Sequence, residues 1–121
     1  ESTHNYDMGS LYTKGKVWQI IGPTETGPQK YGTGGEMALW ESTNEGKNWT
    51  KIKSITTNSL RNHSYARRPL HANKNFYAFW ADGNADKFSE SQLYFTNQKG
   101  NQVWVLPYEM TSEYAKPEKL K

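Results

Sequence analysis

The sequence predicts an all-β fold, and three observations carry that prediction. The first is composition: aromatic residues make up 14% of the 121, with eight Tyr and five Trp, although only 34% of positions are hydrophobic. Mean hydropathy is −0.99. Disordered chains are poor in aromatics, whereas Tyr and Trp beside Gly-rich turns suit short strands joined by polar loops. The second observation is Ser42-Thr43-Asn44-Glu45-Gly46-Lys47-Asn48-Trp49, flanked by apolar Met37-Ala38-Leu39-Trp40 and by Trp49-Thr50-Lys51-Ile52. Here a short polar side chain bonds its own backbone two residues on, Gly supplies a positive φ, and Trp folds back as an apolar plug. The third is a weaker copy of this turn, in which Gly100 follows Gly46 by 54 positions. In that copy Thr96 and Gly100 fit, Gln98 stands in the Asn44 place and Trp104 falls one residue late.

The elements follow in order. Residues 1–10 are polar and lead into a first strand over 16–21, Lys16-Val17-Trp18-Gln19-Ile20-Ile21. Residues 22–35 hold two prolines and five glycines in fourteen positions, which predicts a long loop. Strands over 36–41 and 49–55 make a hairpin around the Ser42 turn, and 56–62 is polar and turn-like. A strand begins at Ser64-Tyr65-Ala66-Arg67-Arg68-Pro69. The most apolar segment, Phe76-Tyr77-Ala78-Phe79-Trp80, reads as a central strand buried on both faces, and 82–86 as a turn cluster. Strands over 92–95 and 102–106 form the last hairpin, and the chain leaves through 107–121.

Net charge is +3 and the pI about 9.1. The basic residues are scattered apart from Arg67-Arg68 and the Lys-rich end, which argues against a nucleic-acid face and suits an anionic sugar polymer. With no cysteine, disulfides and thiolate metal sites are excluded. No apolar run approaches the ~18 residues a membrane span needs. The chain begins at Glu1 without Met, so the lack of a targeting segment carries no weight.

Ser42-x-Asn44-x-Gly46-x-x-Trp49 resembles the Asp box of sialidase-like β-propellers, with Asn44 where Asp usually stands. Asp boxes lie away from a propeller's central site, so Ser42, Asn44, Gly46 and Trp49 are expected to be structural. The box spacing falls in the range of propeller repeats and predicts about two blades, 9–62 and 63–107, within a partial propeller over 1–110 and an exit segment over 111–121. Two blades leave their end faces bare, so the expectation is a piece of a larger ring. Further blocks extend the resemblance, namely Gly22-Pro23-Thr24-Glu25-Thr26-Gly27-Pro28-Gln29-Lys30-Tyr31-Gly32-Thr33-Gly34-Gly35-Glu36, Asn62-His63-Ser64-Tyr65-Ala66-Arg67-Arg68-Pro69, Phe76-Tyr77-Ala78-Phe79-Trp80-Ala81-Asp82-Gly83 and Ser89-Glu90-Ser91-Gln92-Leu93-Tyr94-Phe95. Over about 9–110 they are similar to the C-terminal part of BNR-repeat proteins of polysaccharide-degrading bacteria, related to ulvan lyases and to rhamnosidases. The resemblance implies a seven-bladed propeller, secreted or periplasmic, acting on acidic polysaccharide containing rhamnose and uronate. By implication the chain's partners are that polysaccharide and the remainder of the propeller, with no nucleic acid and no membrane. The family hosts lyases, hydrolases and members without assigned activity, so a lyase, an α-L-rhamnosidase-type hydrolase and a non-catalytic binding propeller all remain open.

The best candidate site is 62–68. Eliminative cleavage of a uronide needs a cation for the carboxylate, a base for the C5 proton and an acid for the leaving oxygen. His63 and Tyr65 are the weak catalytic candidates, and Arg67 and Arg68 the substrate-binding ones. Strand alternation would put His63, Tyr65 and Arg67 on one face and Arg68 on the other. The bland alternative is a hydrogen-bonding His, with Arg67 or Arg68 paired to Glu36, Asp82 or Glu90 between strands. In the related lyases the main base and acid lie on earlier blades, so this segment would complete a substrate groove. Lys30 and Tyr31 are expected to line that groove. The 22–35 loop lacks the Gly-Lys-Ser/Thr ending of a phosphate loop. No cofactor is expected. Relatives carry a structural metal in places, but Thr96 stands where they have Cys, and His63 or His71 alone is a poor ligand set. Asp82, Asp86 and Glu90 lack the spacing of a calcium loop.

Overall fold

A computed structural model describes residues 10–30 and 33–121, and among these there are nine strands and no helix. Strands β1 (Ser10–Lys14), β2 (Val17–Glu25), β3 (Glu36–Ser42) and β4 (Thr50–Ser54) form one sheet in chain order. Strands β5 (Asn62–Arg67), β6 (Ala78–Gly83), β7 (Leu93–Thr96), β8 (Val103–Val105) and β9 (Glu118–Lys119) form a second, also in chain order. All pairings are antiparallel. The protein is therefore all-β, two successive up-and-down meanders with their inner faces joined.

Period-two alternation decides which side chains enter the core. The first sheet turns Tyr12, Ile21 and Leu39 inward, and the second turns Ala78, Trp80, Tyr94, Val103 and Val105 inward. Met37, Ile55, Ala66 and Tyr77 complete this shared core, and Trp80 is its largest fully buried side chain. Tyr12 stacks on Tyr77 at 3.7 Å between ring centres, its hydroxyl donating to the Tyr77 carbonyl. The opposite faces are also apolar. Leu11, Trp18, Ile20 and Trp40 share the outward face of the first sheet. On the second, Phe79, Phe95 and Trp104 lie side by side, with Phe95 and Trp104 stacked at 5.1 Å and Phe76 added at 5.2 Å from Phe95.

The Ser42–Trp49 turn sits between β3 and β4 and works as its pattern requires. The Ser42 hydroxyl accepts from the Asn44 and Gly46 N–H groups and donates to Asn44 Oδ1, which accepts in turn from the Asn48 N–H at 2.9 Å. Gly46 has φ +81° and lies so close to the Trp18 ring that a Cβ there would be 2.8 Å from it. In the second hairpin, between β7 and β8, the alignment of the weaker copy needs correction. Asn97, not Gln98, supplies the accepting oxygen, at 3.2 Å from the Asn101 N–H and 3.1 Å from the Gln102 N–H. Gln98 instead donates its backbone N–H to the Lys74 carbonyl.

Other elements differ from expectation for identifiable reasons. β1 carries only Leu11 and Tyr12 as apolar signal, too little for the sequence to predict a strand there. β2 runs on through Gly22 and Pro23 to Glu25, because a register shift between Gly22 and Glu25 accommodates a proline that cannot donate to the ladder. The loop is thus shortened at its start. β6 begins at Ala78 and extends through Asp82-Gly83, and its burial alternates instead of covering both faces. The exit segment returns as β9, two charged residues held at the sheet edge by backbone pairing to Trp104 and Val105.

Candidate functional site

Antiparallel order sorts the connections to two ends. The Ser42–Trp49 turn and the β7–β8 turn lie at one end. The β2–β3 loop, the start of β5 and the β6–β7 loop meet at the other. The last three are tied together by backbone geometry. Gly35 and His63 exchange both N–H···O bonds, at 2.9 and 2.8 Å, so the loop from the first sheet pairs with the first strand of the second. Asn62, 1% exposed, accepts from the Gln29 N–H and donates to the Thr33 hydroxyl, while its own N–H donates to Gln29 Oε1. The loop glycines serve this contact. A Cβ at Gly27 would be 2.1 Å from Asn62 Oδ1, and one at Gly34 would be 2.2 Å from the His63 carbonyl.

Inside this junction runs a polar chain of fixed direction. Trp80 Nε1–H lies 3.0 Å from His63 Nδ1, and an indole can only donate, so Nδ1 must be the unprotonated nitrogen. Nε2 therefore carries the proton and donates to the Ser59 hydroxyl at 2.9 Å, which donates in turn to Glu36 at 2.8 Å. Glu36 also accepts from the Ser59 N–H and from the Thr56 hydroxyl. Ser, His and a carboxylate thus touch, but in the wrong order for nucleophilic catalysis. There the acid holds the His and the His lone pair faces the Ser. Here the acid holds the Ser, and the His lone pair is given to Trp80.

Burial holds the His63 pKa below its usual 6.5, outweighing the pull of Glu36 and Asp82, while Arg61 adds to the depression. Protonation would set an Nδ1–H against the Trp80 N–H. Because the folded pKa is the lower one, the unfolded chain binds the proton first as pH falls. Stability should be fully present above about 6.5 and decline below it by at most about 1.4 kcal/mol per pH unit, until the folded pKa is passed. Urea midpoints at about pH 5 and about pH 7.5 test this, with His63→Gln as comparison. An acid loss as large in His63→Gln as in the parent would show that another group is responsible.

A second buried hub lies beside the first. Asp82 accepts from Arg61 Nε at 2.8 Å, from the Tyr94 hydroxyl at 3.0 Å and from the Gln92 N–H at 2.8 Å. The Arg61 guanidinium also reaches Gln92 Oε1 at 3.2 Å. The hydrogen bond to Asp82 raises the Arg61 pKa, and burial pushes the Tyr94 phenol up to about 12. These bonds tie the residue before β5 to β6 and to the start of β7. Asp82 is thus the partner of Arg61, and not of Arg67 or Arg68.

The candidate residues of 62–68 do not form one cluster. β5 carries a bulge between Ser64 and Arg67, with Tyr65 at φ +56°, so one extra residue opposes β6. His63 pairs with Asp82 but Arg67 pairs with Phe79, which places Arg67 on the face opposite His63. The expected shared face of His63, Tyr65 and Arg67 is therefore corrected: alternation does not survive the bulge. Arg67 instead approaches the Tyr65 ring at 5.6 Å. Arg68 leans away, over the Tyr12 ring at 4.9 Å and toward the Leu11 carbonyl. Lys30 is exposed on the β2–β3 loop, its carbonyl accepting from the Thr33 hydroxyl, and Tyr31 lies outside the described residues. Thr96 is fully buried and bonds the Gln102 carbonyl. Among the described residues no three His, Asp or Glu side chains gather as metal ligands would.

At this same end an open groove of about 430 Å³ lies between the two loops, lined by Thr33, Ser64, Tyr65, Asn84, Lys87 and Phe88 among others. Sequence reading missed Lys87 and Phe88, and also Glu36, Ser59, Arg61 and Tyr94 as network members. The groove pair carries no local pattern beyond an exposed turn. Against family models, curated proteins and solved structures the chain has no match.

Proposed function

We propose that the chain forms about two adjacent blades of a sialidase-like, seven-bladed propeller that degrades acidic, rhamnose- and uronate-containing polysaccharide outside the cytoplasm, by β-elimination. The blade reading is supported by two successive meanders with turns of the same kind between third and fourth strands, and by apolar faces left on both sides. In a ring, the remaining blades cover those faces. The single observation that carries the functional reading is the groove. It lies at the end away from the Ser42–Trp49 turn, where Tyr65, alone among the candidate residues, meets the aromatic Phe88 and the basic Lys87. A binding propeller without catalysis is the second reading, favoured by the engagement of both His63 ring nitrogens.

Mixing with ulvan separates the readings. The 121-residue chain alone is expected to bind the polymer without generating the ultraviolet absorbance of an unsaturated uronide, whereas the chain joined to its complementary blades generates it. Release of free rhamnose instead favours the hydrolase, and binding without new chain ends favours the second reading. Turnover by the isolated chain would overturn the assignment of acid and base to other blades.

A further inference from the structure

We infer that Phe88, Lys87 and Tyr65 form a subsite for a pyranose ring bearing an anionic group, a proposal that rests on the polysaccharide reading above and assigns residues to it. Phe88 is as exposed as in an extended chain, and Tyr65 is 43% exposed across the same groove. The turn that presents Phe88 is braced. The Asn84 N–H donates to the Ser89 hydroxyl at 2.9 Å, and Asn84 Oδ1 accepts from the Asp86 N–H at 2.9 Å. Ser91, on the same loop, donates to the Asp82 carbonyl at 2.6 Å, so the loop base is anchored to the buried hub. Tyr65 is set by the bulge, in a left-handed conformation that a bulky residue holds only when its surroundings impose it. Two aromatics are thus held at one groove by independent backbone devices.

The remaining chemistry matches a sugar better than an apolar ligand. The Ser64 hydroxyl and the Asn84 side-chain NH2 line the groove and have no partner among the described residues, which leaves them for ring hydroxyls. Lys87 is the one charged residue among the described lining residues, and it selects for an anion. The aromatic rings take the C–H face of the pyranose, as flat apolar surfaces with edges that stay wet. A carboxylate and a sulfate ester satisfy Lys87 equally, so the experiment must distinguish them.

The test is NMR titration of the 121-residue chain with three trisaccharides alike except for one ring, which carries a glucuronate carboxylate, a sulfate ester or no charge. Both anionic ligands are expected to bind more tightly than the neutral one, and the tighter of the two identifies the anion. Phe88→Ala is expected to weaken binding of all three about tenfold. Lys87→Gln is expected to remove the preference for the anionic ligands and leave the neutral affinity unchanged. Both side chains are solvent-exposed, and unchanged urea midpoints will show that the fold is intact. If the parent binds and neither variant differs from it, the subsite is overturned while the polysaccharide reading stands. If the parent binds neither the trisaccharides nor ulvan, that reading falls and the subsite with it.

Discussion

Asp82→Ala is expected to cost about 3 kcal/mol of folding stability, a large share of the roughly 5–15 kcal/mol available to a domain of this size. The side chain of Asp82 is 4% exposed and that of Arg61 20%. Truncation takes the acceptor from Arg61 Nε, the Tyr94 hydroxyl and the Gln92 N–H at once and leaves the guanidinium only its bond to Gln92 Oε1. The residual exposure of Arg61 sets the estimate at the low end for a broken buried pair. Asp82→Asn keeps one acceptor and the shape, so it should fall between parent and Ala. Urea unfolding with an unchanged slope will register the shift as a lower midpoint. An Asp82→Ala midpoint equal to the parent's would mean that solvent reaches the hub freely.

Gly35→Ala is expected to cost about as much, ~3 kcal/mol, for a different reason. A methyl group at this position would lie 1.9 Å from the Glu25 carbonyl oxygen, a backbone atom that no rotamer change can move. Relief requires shifting β2 or the loop, and either movement pulls on the pair of bonds to His63 that joins the two sheets. Gly83→Ala is the matched control, since an added Cβ there meets nothing within 4 Å. It should change stability by less than about 0.5 kcal/mol. Equal midpoints for the two variants would show that the loop yields more easily than its packing implies.

These two positions also mark where sequence reading succeeds and where it stops. Local chemistry was legible. The Ser42–Trp49 hairpin was readable because the side-chain bonds of Ser42 and Asn44 span four residues or fewer, and the strands on either side followed from their apolar residues; the Glu45 N–H bond to the Lys16 carbonyl, made across the sheet, was not readable. Gly27, Gly34 and Gly35 were legible as a loop, but their purpose depends on Asn62 and His63 in the other sheet. The pairing of Arg61 with Asp82 depends on β5 lying beside β6 in one register, and nothing within either segment specifies that register. The bulge at Tyr65 was the costliest omission. One inserted residue reverses the face of everything after it, so a grouping of His63 with Arg67 that alternation supports is undone by a single backbone torsion. Resemblance directed attention to 62–68, but it could not distinguish a histidine that offers a lone pair from one that has given it to Trp80.

The distribution of indoles over the two sheets has a spectroscopic consequence. Trp80 is 1% exposed between the sheets, whereas Trp18, Trp40 and Trp104 are half-buried on the outward faces and Trp49 is half-buried at the turn between β3 and β4. Emission from the chain is therefore a sum of two colours. The blue part comes from a dry ring and vanishes only when the sheets separate. The redder part comes from rings in partial contact with water, and it moves blueward when anything settles on the outer faces. Folding and capping are thus written at different wavelengths of one spectrum, with no label attached.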